Sequence, residues 1–134
     1  MNEFIAHIRE SDGKVQTVYE HLNEVSSICC QLTNKIDLPE AGKLLGLLHD
    51  FGKYSHDFQA YIKSTTNRLD ADIDNEYVDF KGWKGKIDHS TAGAQWVWKN
   101  FGRSGEQGRL IAQILSVCLA SHHGGLLDCL KVDG

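Results

Sequence analysis

Hydrophobic residues recur at intervals of three and four along most of the chain, which is the period of an amphipathic helix. Over residues 15–33 this spacing predicts one long helix, whose apolar stripe comprises Val18, Leu22, Val25, Cys29 and Leu32. No segment alternates convincingly between apolar and polar residues at a period of two. The pattern therefore indicates an all-α, non-repeat helical bundle.

A second helix is predicted from Pro39 to about Phe51. It is apolar on nearly every side, so we expect it at the centre of the fold. Gly52 ends this helix. A shorter helix then begins near Ser55, and its predicted inward face consists of Phe58, Tyr61 and Ile62.

Residues 65–87 show no sustained period and predict a long polar loop. The segment is rich in acidic residues, namely Asp70, Asp72, Asp74, Glu76 and Asp79. These lack the glycine and the closing glutamate of an EF-hand calcium loop, which favours a solvated surface over a calcium site.

Two further helices are predicted, from about Ser90 to Phe101 and from about Glu106 to Ser121. The expected inward residues of the first are Ala94, Val97, Trp98 and Phe101. Those of the second are Ile111, Leu115 and Cys118, and the same stripe places His122 on the buried side at the helix end.

The length of 134 residues, with 41% hydrophobic residues and one proline, fits a single globular domain spanning 1–134. The formal net charge of −4 argues against tight electrostatic binding of duplex nucleic acid. The four cysteines form no C-x-x-C pair and are expected to be reduced core thiols. No signal pattern or long apolar run is found, so a cytoplasmic location is expected.

The seven histidines are the unusual feature of the composition. His49 and Asp50 close the most hydrophobic helix, where burial without partners would cost several kcal/mol. A divalent metal ion is a suitable partner for both groups, and its charge would keep the carboxyl group ionised. The alternative is that Asp50 caps a turn and His49 is an ordinary core histidine.

Other histidines strengthen the metal interpretation, because His21, His89 and the pair His122 and His123 belong to three other predicted helices. Four helices could therefore bring five imidazoles and one carboxylate together. His21 and His89 could equally occupy ordinary boundary positions. The adjacent pair favours a ligand role, since neighbouring imidazoles repel when they are protonated.

The two remaining histidines, His7 and His56, are expected to face solvent. Ser55, His56 and Asp57 are consecutive, and consecutive side chains cannot form a Ser-His-Asp triad.

Three blocks, from His49 to Lys53, from His89 to Ala94 and from Ser121 to Gly125, occur in an order that resembles a known family. With Phe58, Gln59 and Tyr61 downstream of the first block, they resemble the HD-type nuclease domain of the CRISPR-associated helicase-nuclease of type I interference systems. Together with the upstream His21, the resemblance covers residues from about 15 to 128, and it implies an all-α HD-domain helical bundle.

The resemblance implies a two-metal centre in which Asp50 bridges the ions. One site would comprise His21 and His49, and the other His89, His122 and His123. Lys53 would face the scissile phosphate, although a lysine at a helix end also interacts favourably with the helix dipole. Ser90 and Gln59 would orient ligands or the phosphate, although Ser90 could also be an ordinary helix cap.

The implied activity is metal-dependent endonuclease cleavage of single-stranded DNA in antiviral defence. An imidazole-rich site favours manganese, nickel, cobalt or iron over magnesium, and zinc is expected less. The implied partners are a helicase domain, in cis or in trans, and the RNA-guided CRISPR surveillance complex. Bases could stack on Trp83, Trp96 or Trp98, although a core role is expected for the last two.

The family pattern also includes an aspartate on a later helix, which neither Asp128 nor Asp133 matches well. We therefore expect the N-terminal part of such a domain, in which the site formed by His21 and His49 is the less complete one. Two alternatives remain open. One is an HD-type phosphohydrolase acting on nucleotides or cyclic dinucleotides, and the other is a catalytically weak docking module beside a helicase.

Overall fold

A computed structural model describes residues 4–9, 11–66 and 89–124 of the chain. Helices account for most of these residues, which confirms the predicted fold class. A short antiparallel hairpin precedes the helices, and two 3-10 turns separate some of them. In chain order the elements are β1 (Ile5–Ile8), β2 (Val15–Thr17), α1 (Val18–Thr33), a turn at Asn34–Ile36, α2 (Pro39–Leu48), a turn at Phe51–Tyr54, α3 (His56–Thr66), α4 (Thr91–Phe101) and α5 (Gly105–Ser121).

The hairpin corrects the prediction that residues 15–33 form one helix. Residues 15–17 pair with β1 instead, and α1 begins only at Val18. Thr17 is the N-cap: its hydroxyl accepts from the Glu20 backbone N–H, and the Glu20 side chain accepts from the Thr17 N–H. This capping box fixes the helix start at Val18 and leaves the preceding residues extended.

Two glycines of α2 lie against α1 and bring the two helix backbones close together. A Cβ atom on Gly46 would stand 2.4 Å from Ser26 Cα, and one on Gly42 would stand 2.0 Å from Thr33 Oγ1. Ser26 also donates a hydrogen bond from Oγ to the carbonyl of Lys43, at 2.9 Å. The predicted central position of α2 is confirmed, because it also packs against α4 and α5.

The main core lies between α2, α4 and α5, and its buried residues are Leu48, Ala94, Val97, Ala112, Leu115 and Leu119. The stripe predicted for α5 is therefore partly wrong, since Ile111 and Cys118 are exposed. A different face of α5 packs against α4. This face includes Ala112, which is buried, and Ser116, whose hydroxyl donates to the Ala94 carbonyl at 3.1 Å.

Several other expected core residues are exposed. Trp98 is 45% exposed and Trp96 39%, so the core role predicted for both is wrong. Phe101 and Leu32 are exposed as well. Of the cysteines, Cys118 is exposed, while Cys29 and Cys30 are half-buried and free.

Some predictions fall outside the described part of the chain. These include the predicted polar loop except its first two residues, which belong to α3, together with Trp83, Cys129, Asp128 and Asp133. Among the residues that are described, no helix is both long enough and apolar enough to span a bilayer.

Candidate metal centre

Asp50, which lies two residues after the end of α2 and is only 4% exposed, is at the centre of a cluster of imidazoles. Its Oδ2 atom lies 3.0 Å from His21 Nε2 and 3.3 Å from His49 Nε2. The same oxygen accepts from the Lys53 ammonium at 2.9 Å. This side of the carboxylate thus combines two predicted ligands and one lysine.

The other carboxylate oxygen, Oδ1, faces the histidines that the resemblance assigned to a second site. His122 Nε2 lies 3.2 Å away, His123 Nε2 3.6 Å and His89 Nε2 3.7 Å. The structure thus brings every predicted ligand around one carboxylate, and its two oxygens divide those ligands into the two predicted sets.

Four segments of the chain supply these groups, and close backbone contacts fix their positions. His21 on α1 and His49 after α2 are neighbours because the glycines of α2 let the two helices approach. The Gly52 N–H donates to the His89 carbonyl at 3.2 Å, and a Cβ on Gly52 would stand 2.4 Å from that oxygen. His122 and His123 follow the last turn of α5.

Hydrogen bonds to main-chain carbonyls determine which ring nitrogen of two histidines carries a proton. His49 donates from Nδ1 to the Gly46 carbonyl at 2.8 Å, and His122 donates from Nδ1 to the Leu119 carbonyl at 2.6 Å. A carbonyl oxygen can only accept, so Nδ1 must be protonated in both rings. The Nε2 atoms are left facing Asp50, in the arrangement that metal-binding histidines commonly adopt.

The facing nitrogens lie close enough in pairs to share a proton or to bind a common cation. His21 Nε2 and His49 Nε2 are 3.1 Å apart, and His89 Nε2 and His123 Nε2 are 2.9 Å apart. In each pair one nitrogen must donate a proton to the other, or both must face a cation, since two unprotonated nitrogens at such distances repel each other. Imidazole nitrogens gathered around a carboxylate are a donor set that fits a divalent transition metal.

The electrostatics of the centre favour an ionised Asp50 and lower the pKa of His21 and of His123. Burial would raise the pKa of Asp50, but hydrogen bonds from His49 and Lys53 outweigh it and hold that pKa well below its usual range. Burial, followed by the charge of Lys53, lowers the pKa of His21. Burial and the neighbouring imidazoles also lower the pKa of His123.

His49 differs from these histidines, because its pKa is raised. Burial acts to lower the pKa of His49, but the hydrogen bonds to Asp50 and to the Gly46 carbonyl together exceed that effect. In the metal-free chain His49 is therefore more inclined than His21 or His123 to carry a proton beside Asp50.

Distances between ligand atoms pick out two groups that could hold an ion. Asp50, His89 and His123 offer ligand atoms within 4.8 Å of one another, and so do His7, His21 and Asp50. The second group includes a residue that was predicted to face solvent. His7 is exposed, yet its ring packs edge-on against His21 with centroids 4.7 Å apart, and its Nε2 lies 2.9 Å from Lys53 Nζ.

His7 was missed because its strand has only four residues and carries an irregularity, so no period marked its inward face. His56, the other histidine expected at the surface, is indeed exposed.

The other predicted site residues, Lys53, Gln59 and Ser90, have different surroundings. Lys53 is 4% exposed, and its ammonium contacts Asp50 and His7. Gln59 is buried and bonds only to main chain: it accepts from the Ile5 N–H and donates to the carbonyls of Ile5 and Lys53. Ser90 stands at the N-cap of α4, one residue after His89.

Comparison with family models identifies the family of the chain. The family model described as "Cas3, HD domain" matches residues 5–131. No curated protein and no solved structure is significantly similar to the chain. The family match covers nearly the whole sequence and includes every residue of the Asp50 cluster.

Proposed function

This chain belongs to the Cas3 HD domain family, a nuclease family of CRISPR systems, and from that membership we propose that it cleaves single-stranded DNA with the help of two divalent transition-metal ions. The observation that carries this proposal is the division of imidazoles between the two oxygens of Asp50. A carboxylate that faces separate nitrogen donors on each side is suited to bridging two cations.

The residues that would hold the ions follow from that division. His21 and His49 would bind the ion on the Oδ2 side, while the Oδ1 side has three imidazoles, those of His89, His122 and His123. When bound, such ions lower the pKa of a coordinated water and stabilise the charge that develops on the phosphodiester oxygens. Imidazole-rich sites suit manganese, iron, cobalt or nickel better than magnesium, which prefers oxygen ligands.

The chain's own residues prepare the centre for an anionic substrate. The backbone carbonyls of Gly46 and Leu119 hold the rings of His49 and His122 with Nε2 toward Asp50. Lys53 adds a positive charge within 2.9 Å of the carboxylate. We assign to Lys53 the stabilisation of negative charge on the scissile phosphate, because a charge that is already in place stabilises developing charge without reorganisation.

A single-stranded substrate agrees with the surface of α4. Trp96, Trp98 and Phe101 are exposed on this helix, which begins directly after His89 and Ser90. Exposed aromatic rings provide stacking surfaces for unpaired bases, and the positive charge that the backbone requires can be confined to a local groove. The net charge of −4 is consistent with this type of binding. A helicase domain and an RNA-guided complex are the partners that we propose would deliver such a strand.

The test is cleavage of circular single-stranded DNA by the purified chain with added Mn²⁺ or Ni²⁺. A circular substrate has no ends, so its cleavage reports endonuclease activity. We expect cleavage by the wild type and by His56→Ala, a surface control. We expect none with Asp50→Ala or with a chelator.

The other functions give different results in the same assay. Hydrolysis of nucleotides or cyclic dinucleotides with intact DNA would replace the proposal with a phosphohydrolase. Metal binding without hydrolysis of any of these substrates would favour the docking module.

A further inference from the structure

The metal ion on the Oδ2 side of Asp50 has two predicted histidine ligands, His21 and His49, and the structure places a third imidazole beside them. The ligand atoms of His7, His21 and Asp50 all lie within 4.8 Å of one another. The His7 ring meets the His21 ring edge-on at an interplanar angle of 74°. His7 thus approaches the carboxylate from the hairpin, beside His21.

The position of His7 is fixed by its strand. The pairing of β1 with β2 is irregular between Ile5 and His7, and such bulges redirect a side chain. Ala6, next to His7, is 2% exposed and packs with Val18 and Leu22 of α1. Gln59 holds the preceding residue, Ile5, through both its N–H and its carbonyl. The strand is therefore anchored at Ile5 and Ala6, immediately before His7.

The contact with Lys53 shows which ring nitrogen of His7 points inward and whether that nitrogen carries a proton. An ammonium group has three donors and no acceptor. Since Lys53 Nζ lies 2.9 Å from His7 Nε2, that nitrogen must accept the hydrogen bond and must lack a proton. Its lone pair is directed at a cation, as that of a metal ligand has to be.

The same ammonium lies 2.9 Å from Asp50 Oδ2. His7 Nε2 and Asp50 Oδ2 thus hold one positive charge between them, and a divalent ion would compete with Lys53 for the same two atoms.

We propose that His7 is a ligand of the metal ion on the Oδ2 side of Asp50, in addition to His21 and His49. The inference rests on the proposed function in that it assumes an ion at this carboxylate. It gives that side of the centre three imidazoles and a carboxylate, an adequate donor set for a transition metal. Lys53, once displaced, becomes available to an anionic substrate.

The experiment is calorimetric titration of the whole chain with Ni²⁺ or Co²⁺, with the visible spectrum of bound Co²⁺ as a second measurement. We expect His7→Ala to weaken one of the two binding events at least about tenfold, since even groups that only orient a ligand contribute about 10–100-fold to metal affinity. The other event should be unchanged, and the Co²⁺ spectrum should shift. His56→Ala, which removes an exposed histidine outside the cluster, is the matched control.

Lys53→Met separates this role from a structural one. If His7 binds the ion, Lys53→Met strengthens binding by removing a competitor, and His7→Ala still weakens binding in the Lys53→Met background. If His7 merely holds Lys53 in place, the effect of His7→Ala disappears in that background, and the proposal is overturned. His7→Gln, which retains a polar side chain, together with thermal unfolding in chelator, shows whether the hairpin remains folded.

The remaining outcomes distinguish this proposal from the proposed function. Two ions bound equally well by the wild type and by His7→Ala would overturn the role of His7 and leave the two-metal centre in place. A wild-type chain that binds no metal would overturn both.

Discussion

Replacing Asp50 with asparagine is predicted to destabilise the metal-free protein by about 3–5 kcal/mol, the usual cost of removing one member of a buried ion pair. The side chains of Asp50 and Lys53 are each only 5% exposed, and their charged atoms are 2.9 Å apart. At an effective dielectric constant of about 20, the gross Coulomb attraction, 332/(20 × 2.9), is about 6 kcal/mol. Asparagine keeps the shape of the side chain but leaves the ammonium buried without a counter-charge.

A double-mutant cycle isolates the interaction energy between Asp50 and Lys53. Lys53→Met should also be destabilising, because it leaves the buried carboxylate of Asp50 without the positive charge of the ammonium. The double variant Asp50→Asn/Lys53→Met leaves neither buried charge, so we expect it to be about 2–3 kcal/mol more stable than the sum of the single losses predicts.

Urea unfolding followed by circular dichroism provides the measurement, in buffer that contains a chelator so that metal binding does not contribute. Losses that add to within about 0.5 kcal/mol would refute the reasoning, because additivity is the behaviour of groups that do not interact. The ion pair of Asp50 and Lys53 would then contribute no more to stability than an ion pair at the protein surface does.

Single changes elsewhere around the centre have distinct expected effects. Gly46→Ala should lower the free energy of unfolding by about 1–3 kcal/mol, because its Cβ would stand 2.4 Å from the α1 backbone. Gly124→Ala is the control, since nothing lies within 4 Å of a Cβ at that position. Equal melting temperatures of the two variants would contradict this prediction. Gln59→Ala removes three hydrogen bonds and should cost about 2 kcal/mol or more. It should also speed amide exchange in β1, and native-like protection there would count against an anchoring role. The raised pKa of His49 implies that a metal ion displaces a proton from it, so affinity should still increase as the pH rises above 6.5, the usual imidazole pKa. Binding heats that do not depend on the ionisation enthalpy of the buffer would argue against this proton release.

Much of the centre could be predicted because its histidines lie on or beside strongly periodic helices. His49 and Asp50 end an apolar helix, and His122 and His123 end another, so helix periodicity alone brought these residues toward the core. Their convergence on the two oxygens of one carboxylate depends on tertiary packing, which the spacing of residues along the chain does not contain.

The errors have local physical causes. On α5, Ile111, Ile114 and Val117 are all exposed although they are apolar, so the helix offers more than one apolar stripe and spacing could not select the buried one. The hairpin was missed because β2 has three residues, too few to establish a period of two. That error also hid His7, whose approach to Asp50 depends on the bulge in β1.

The glycines at the helix contacts determine how the centre responds to different ions. Added Cβ atoms would meet backbone in each case: at Gly46 that of α1, at Gly52 the carbonyl of His89, and at Gly93 the carbonyl of Leu48. Main chain pressed against main chain beside the ligands leaves little room for the rings to move apart or together. The ordering entropy of the imidazoles is then lost during folding and not during ion capture. Ligands held this rigidly by the backbone should discriminate ions by ionic radius, since the distances between them change little from one ion to another.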